Sequence, residues 1–204
     1  MKPGQKTAKG AATRARIVET AARVMFENGV AETSVEQVCA AASVNASQVY
    51  HYFGDKRGLI SAVVDFQSQR LGPAGRLDSM AELRAWARER VEQQRGGDAM
   101  GGCAYGSLAG QLGTGHPEFR EQLVDGFGDW LARVESGLEA MHRRGELVEE
   151  ASPHELAVGL LAATQGGMLL AVVTQSSESL EIALNQALDR IAALTSEARH
   201  LAAA

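Results

Sequence analysis

Cysteine is scarce in this chain of 204 residues: it has two, Cys39 and Cys103. Two cysteines cannot build a disulfide framework, and Cys39 falls on an apolar helix face, so the count fits a reducing cytoplasm. Fingerprints of common chemistries are missing too. There is no nucleophile elbow, no P-loop and no dinucleotide-binding glycine pattern. The five histidines, His51, His116, His142, His154 and His200, form no ligand pair at i, i+4, so neither a metal nor a cofactor is expected. Cys103 and His116 offer a nucleophile and a base with no third group to orient them, and the chain is not expected to be an enzyme. The N-terminus is polar and basic, without the apolar core of a secretory signal. No segment alternates as a strand would, and no internal repeat occurs. The absences leave an all-α chain.

What is present is unevenly charged. Residues 1–57 carry a net charge of +3 and residues 58–204 a net of −8, which together give the overall −5. Basic charge gathered in one part of an acidic chain points to nucleic-acid contact by that part.

The helices follow from apolar spacing and caps. Residues 1–11 read as a mobile basic tail. Ile17, Ala21, Val24 and Met25 form one stripe of a helix over about 13–28, which Gly29 ends as a left-handed residue. Asp55 caps a helix from Lys56. Gly72-Pro73-Ala74-Gly75 breaks the chain, placing a domain boundary between 12–71 and 76–204. Beyond it, helices are expected over 79–95, 103–112 and 117–144, with a glycine-rich loop at 96–102. Ser152-Pro153-His154-Glu155 has the form of a capping box with proline at the first helical position, opening a helix over 153–175. A last helix is expected over 179–201. The run Leu156–Val173 is long enough to span a bilayer, but Thr164, Gln165 and three glycines interrupt it. A helix buried on all sides, and no membrane, is the expectation.

Residues 33–56 read TSVEQVCAAASVNASQVYHYFGDK. A short helix begins at a Thr33/Ser34 cap and breaks at Ser43-Val44-Asn45. A second carries Ser47, Gln48, Tyr50 and His51 on one side and Val49 and Phe53 on the other. Two short helices of this kind, over about 34–53, form the helix-turn-helix that lays a recognition helix into the DNA major groove. A DNA-binding transcriptional regulator is the expectation.

The residues also match a known pattern. Arg16-Ile17-Val18, Ala21-Ala22, Phe26 to Gly29, Thr33 to Val35, Ala41 to Val44 and Tyr50 to Lys56 follow in order. Over about residues 12–71 the chain resembles the DNA-binding domain of the TetR/AcrR family of bacterial repressors. The resemblance implies an all-helical homodimer, in which an N-terminal three-helix domain binds the operator and a C-terminal bundle binds a small effector and dimerises. The family often has Ser at the turn before the recognition helix and a small residue two positions on, where this chain has Asn45 and Ser47. Asn caps as well as Ser, so the geometry holds and the departure bears only on which operator sequence is read.

Gln48 and His51 are the candidates for base-edge contacts, through adenine and guanine respectively, with phosphate or water as the alternative for either. Ser47, Tyr50 and Thr33, with Ser34 and Asn45 at the helix starts, are candidates for the phosphate backbone. Lys56 adds its charge at the start of the next helix. Arg14 and Arg16 either reach the DNA or belong to a solvated tail. Further on, Gly102 to Ala109 resembles a Gly-Cys-x-x-Gly-x-Leu-Ala pattern of one branch of the family, in some members of which the Cys senses oxidants or electrophiles. A cysteine at a helix N-terminus beside glycines is placed to be accessible, while a small space-filling Cys is the alternative.

In this family an effector cavity lies within the C-terminal bundle. The resemblance makes Trp86, Met100, Cys103, Tyr105, His116, Phe119, Phe127, Trp130, Gln165 and Met168 the candidates here, against ordinary core packing for each. Helices 153–175 and 179–201, with small residues Ala162, Ala163, Gly166 and Gly167, are the expected homodimer interface. The expected function is repression relieved by a small hydrophobic or aromatic effector at a pseudo-palindromic operator. The alternative is a redox or electrophile switch at Cys103.

Overall fold

The computed structural model describes residues 8–72, 75–96 and 102–198. Of the expected tail over 1–11, residues 1–7 lie outside them, as do Pro73 and Ala74 of the expected boundary, residues 97–101 of the expected loop with Met100, and residues 199–204 with His200. Residues 8–11 are corrected to the first turn of a helix that starts before the expected position 13.

Among the described residues the chain is all-helical. The elements are α1 Ala8–Asn28, α2 Val35–Ala42, α3 Ala46–Phe53, α4 Lys56–Ser68, α5 Met80–Arg95 and α6 Ala104–Leu112. A 3₁₀ turn at Pro117–Phe119 precedes α7 Arg120–Arg143, and α8 Pro153–Thr174 and α9 Glu178–Ala192 follow. The expected starts at Ser79, Ser152 and Asp55 are N-caps in fact: each side chain accepts the backbone N–H three residues on.

Two compact units result. Among the described residues, one holds those up to Leu71 together with Ser107–Gly126, and the other those of 72–106 and from Phe127 on. The units therefore divide the chain differently from a cut at Gly72–Gly75 alone, with residues 107–126 in the first unit.

Within the first unit α1 packs against α2 and α4. Its buried stripe, Ile17, Val18, Ala21, Ala22, Val24 and Met25, contains all four residues the periodicity selects. Gly29 follows with φ +88°, its N–H on Met25 O at 2.9 Å, a conformation that side chains with a Cβ rarely adopt.

In the second unit α8 packs along α9. Leu156, Ala157, Leu160, Thr164, Gly167 and Ala171 make the buried face of α8. The expectation of burial on all sides is corrected: Leu169 is 66% exposed and Val173 75%. One apolar face of α8 is left uncovered in a single chain, although the helix is long and apolar enough to cross a membrane.

The final helix is also shorter than its apolar spacing suggests. It ends at Ala192, because the backbone then turns to bond the segment after α7. Val148 N–H donates to Leu194 O at 2.9 Å and Ser196 N–H to Glu146 O at 3.0 Å, forming an isolated bridge.

Candidate nucleic-acid interface and effector site

The helix-turn-helix is built by two reciprocal capping boxes. Ser34 Oγ accepts Gln37 N–H at 3.1 Å, and Gln37 Oε1 accepts Ser34 N–H at 2.7 Å. At α3 the same exchange links Asn45 and Gln48, at 3.0 and 3.2 Å. Each box satisfies two helix-end donors that would otherwise need water. Between them Ser43 sits in the left-handed region at φ 52°, where Val44 N–H closes back on Cys39 O at 3.0 Å. Asparagine at the turn therefore gives α3 a start as firm as the serine of α2.

Helix α3 is held from below and open above. Val49 is fully buried, while Ser47, Tyr50 and His51, at i, i+3 and i+4, form an exposed stripe. Ser47 Oγ donates to Asn45 Oδ1 at 2.6 Å. Gln48 is half-buried, and its oxygen is engaged by Asn45 N–H. The cap uses one lone pair of that oxygen, so its second lone pair and the NH₂ donor remain for a base edge. At the far end of α3 the Arg14 guanidinium lies over the Phe53 ring, 5.2 Å from its centroid. Arg14 is thus a residue of α1 in contact with α3 and not part of a solvated tail.

Thr33 does not share that surface. It is 1% exposed, and its hydroxyl donates to Gly29 O at 2.7 Å. Ser34 is the cap of α2, and Thr33 ties the end of α1 to the loop. Burial excludes it from a phosphate contact. Lys56, half-buried at the start of α4, donates to Ala31 O at 3.3 Å. An ammonium has three N–H groups, so this bond does not exhaust it. Cys39 is core, as expected, with its thiol pushed up by burial and then by Glu36.

The effector candidates fall into separate groups. In the second unit Trp86 and Trp130 are buried with ring centroids 6.1 Å apart, and Tyr105 meets Phe127 edge-on at 5.0 Å. Cys103 Sγ accepts Gly106 N–H at 3.3 Å and lies 3.6 Å from Gln165 Nε2. Gln165, Met168 and Val172 of α8 share this side: a Cβ on Gly106 would stand 2.4 Å from Gln165 Oε1, and one on Gly102 2.8 Å from Val172 Cγ2. His116 and Phe119 belong to the first unit, where they line a groove of about 540 Å³ with Val30, Lys56, Ile60 and Gln111. There the Glu118 carboxyl is held below its ordinary range by its own backbone N–H, then by His116 and Arg57. The resemblance that suggested His116 as a pocket residue does not state which compact unit the residue joins in this chain.

Sequence reasoning missed the polar side of α5. Gln94 is 1% exposed with no partner for either amide atom, and Trp86 Nε1 and Arg90 Nε are also buried and unpaired. Their i, i+4, i+8 spacing was visible, but a Gln in a charged helix reads as solvated.

A helix-turn-helix whose second helix exposes polar side chains, joined to a larger helical unit, defines a DNA-binding regulator. Residues 17–63 match the model of the bacterial regulatory proteins of the tetR family, and residues 79–200 match that of the Tetracyclin repressor-like C-terminal domain. The chain belongs to the TetR family. It is 27% identical over 179 residues to an HTH-type transcriptional regulator in the lacX 3′ region of Lactococcus lactis, covering 83% of this chain and 88% of that one. Over 154 residues it is 27% identical to the transcriptional regulator AcuR of Cereibacter sphaeroides, covering 72% and 70% respectively. A TetR transcriptional regulator from Chloroflexus aurantiacus shares the fold at a TM-score of 0.81 and 23% identity, over 93% of this chain and 98% of that one.

Proposed function

We propose that this TetR-family regulator is a homodimeric repressor that a small hydrophobic or aromatic effector releases from a pseudo-palindromic operator. The exposed stripe of Ser47, Tyr50 and His51 over a buried Val49 carries the DNA half of this reading. His51 and the Gln48 amide face the base edges; Ser34, Asn45, Ser47, Tyr50 and Lys56 face phosphates. Regulators of this family form dimers, and the uncovered apolar face of α8 supports α8 and α9 as the interface. Two recognition helices would then meet half-sites roughly 34–36 Å apart. An effector preferring another spacing needs a differential affinity of only about 1–3 kcal/mol. A regulator acting on operator DNA works in the cytoplasm, without a cofactor.

Fluorescence anisotropy against DNA from upstream of the gene, with a scrambled duplex and several salt concentrations, tests the reading. A preference of about 10³-fold or more is expected for the upstream DNA. Absence of binding at low salt would sink it.

A second reading makes Cys103 the switch, supported by its half-buried sulfur held by Gly106 N–H. Cys39 belongs to the other compact unit and is buried. Ligand induction retained in Cys103→Ser removes this reading.

A further inference from the structure

Buried polar atoms without a partner are scarce in folded proteins, and each calls for a cause. Among the described residues such side-chain atoms occur on one helix, α5: Trp86 Nε1, Arg90 Nε and both amide atoms of Gln94. Leaving a buried group unpaired is destabilising, so a leucine at 94 would serve a mere core better.

At 100° per residue, positions 86, 90 and 94 form a single stripe about 12 Å long. It is not the face that α5 turns to α9. Ala87, Val91 and Arg95 line the groove against Glu181, Leu184 and Leu188, and they lie roughly 100° around the helix. The stripe starts at an aromatic wall, where Trp86 meets Trp130. Its middle carries a cation that is poorly matched. Arg90 reaches Glu89 at 4.0 Å, the outer limit of an ion pair, and its Nε has nothing.

The inventory is rich in donors. Indole N–H, guanidinium N–H and amide NH₂ stand against one amide oxygen, and one donor is charged. A ligand satisfying them presents acceptors and negative charge. We infer that this stripe is the polar edge of the effector site, and that the effector is a small organic carboxylate with a flat apolar body. The body lies against Trp86 and Trp130, and the carboxylate accepts from Arg90 and Gln94 by charge-assisted bonds. The inference rests on the ligand-released reading above and names the chemistry of its ligand.

The test compares matched probes on the full chain: benzoate, phenylacetate and cinnamate, each against its methyl ester, by calorimetry and thermal shift. At least one acid should bind about tenfold or more tightly than its ester, and Arg90→Met should abolish that preference. Independently of any probe, Gln94→Leu should raise the Tm of the unliganded protein, because it removes an orphan amide. Esters binding as well as acids, no acid binding at millimolar concentration, or a lower Tm for Gln94→Leu would each overturn the inference. Operator binding on the same samples separates the two levels. Release by a neutral ester keeps the ligand-released regulator and overturns the carboxylate. An acid that binds through Arg90 without releasing the operator keeps the carboxylate site and overturns the release.

Discussion

The side-chain oxygen of Gln111 accepts the backbone N–H of Val30 at 2.7 Å, so the loop after α1 is fastened by a residue 81 positions away. The same loop gives Ala31 O to Lys56 and is tied to α1 by Thr33. Three side chains thus fix the approach to the helix-turn-helix. Gln111→Leu should cost about 1–3 kcal/mol of stability, since it leaves a part-buried N–H without an acceptor. Urea denaturation measures it; an unchanged midpoint would mean that water replaces the amide.

Asn45 holds the start of α3. Asn45→Ala should lower stability by about 0.5–2 kcal/mol and weaken operator binding, whereas Asn45→Ser should restore the stability. If the serine variant regains stability but not operator affinity, Asn45 contacts the DNA as well as capping the helix.

His51 and Lys56 should behave differently on DNA. His51→Ala is expected to cost about 1–3 kcal/mol for the operator while leaving the salt slope of binding alone. Lys56→Gln should weaken all duplexes alike and reduce that slope by about one. Anisotropy titrations in a salt series distinguish them, and identical behaviour of the two variants would contradict the assignment.

Gly72 packs where no side chain fits. A Cβ there would stand 1.9 Å from Trp130 Cδ1, at φ +85°. Gly72→Ala should lose about 1–3 kcal/mol or more, since overpacking and a left-handed backbone both count against it. Gly106→Ala meets a flexible group, Gln165 Oε1, and should cost less while breaking the approach of Gln165 to Cys103. Thermal denaturation of the pair gives the order, and the reverse order would refute it.

The uncovered face of α8 predicts a change of assembly. Leu169→Glu combined with Val173→Glu should yield monomers that keep their helical circular dichroism but lose tight operator binding. Sedimentation velocity reads the mass. A dimer that survives both charges would place the interface elsewhere.

Local signals made much of this legible. Ser34, Asn45, Asp55, Ser79 and Ser152 are caps, and Gly29 ends α1, because a cap is set by residues within four positions of it. Long-range pairing was not legible. Thr33 looked like a surface cap because its partner, Gly29 O, is a backbone atom that no side-chain pattern displays. The early end of α9 depends on Glu146 and Val148, some fifty residues back, and helical periodicity continues past it. His116 separated from the tryptophans for the same reason: the resemblance names the kinds of side chain that line a cavity, while the unit each one joins is set by long-range packing.

The two capping boxes settle α2 and α3 with side chains that mostly point back at their own backbones, while Val49 fixes the underside of α3. Positions 47, 50 and 51 carry almost none of that burden. Their side chains can be exchanged with little loss of foldedness, so a duplicated copy of this gene could drift toward a new binding sequence by a few substitutions. The scaffold would survive each step.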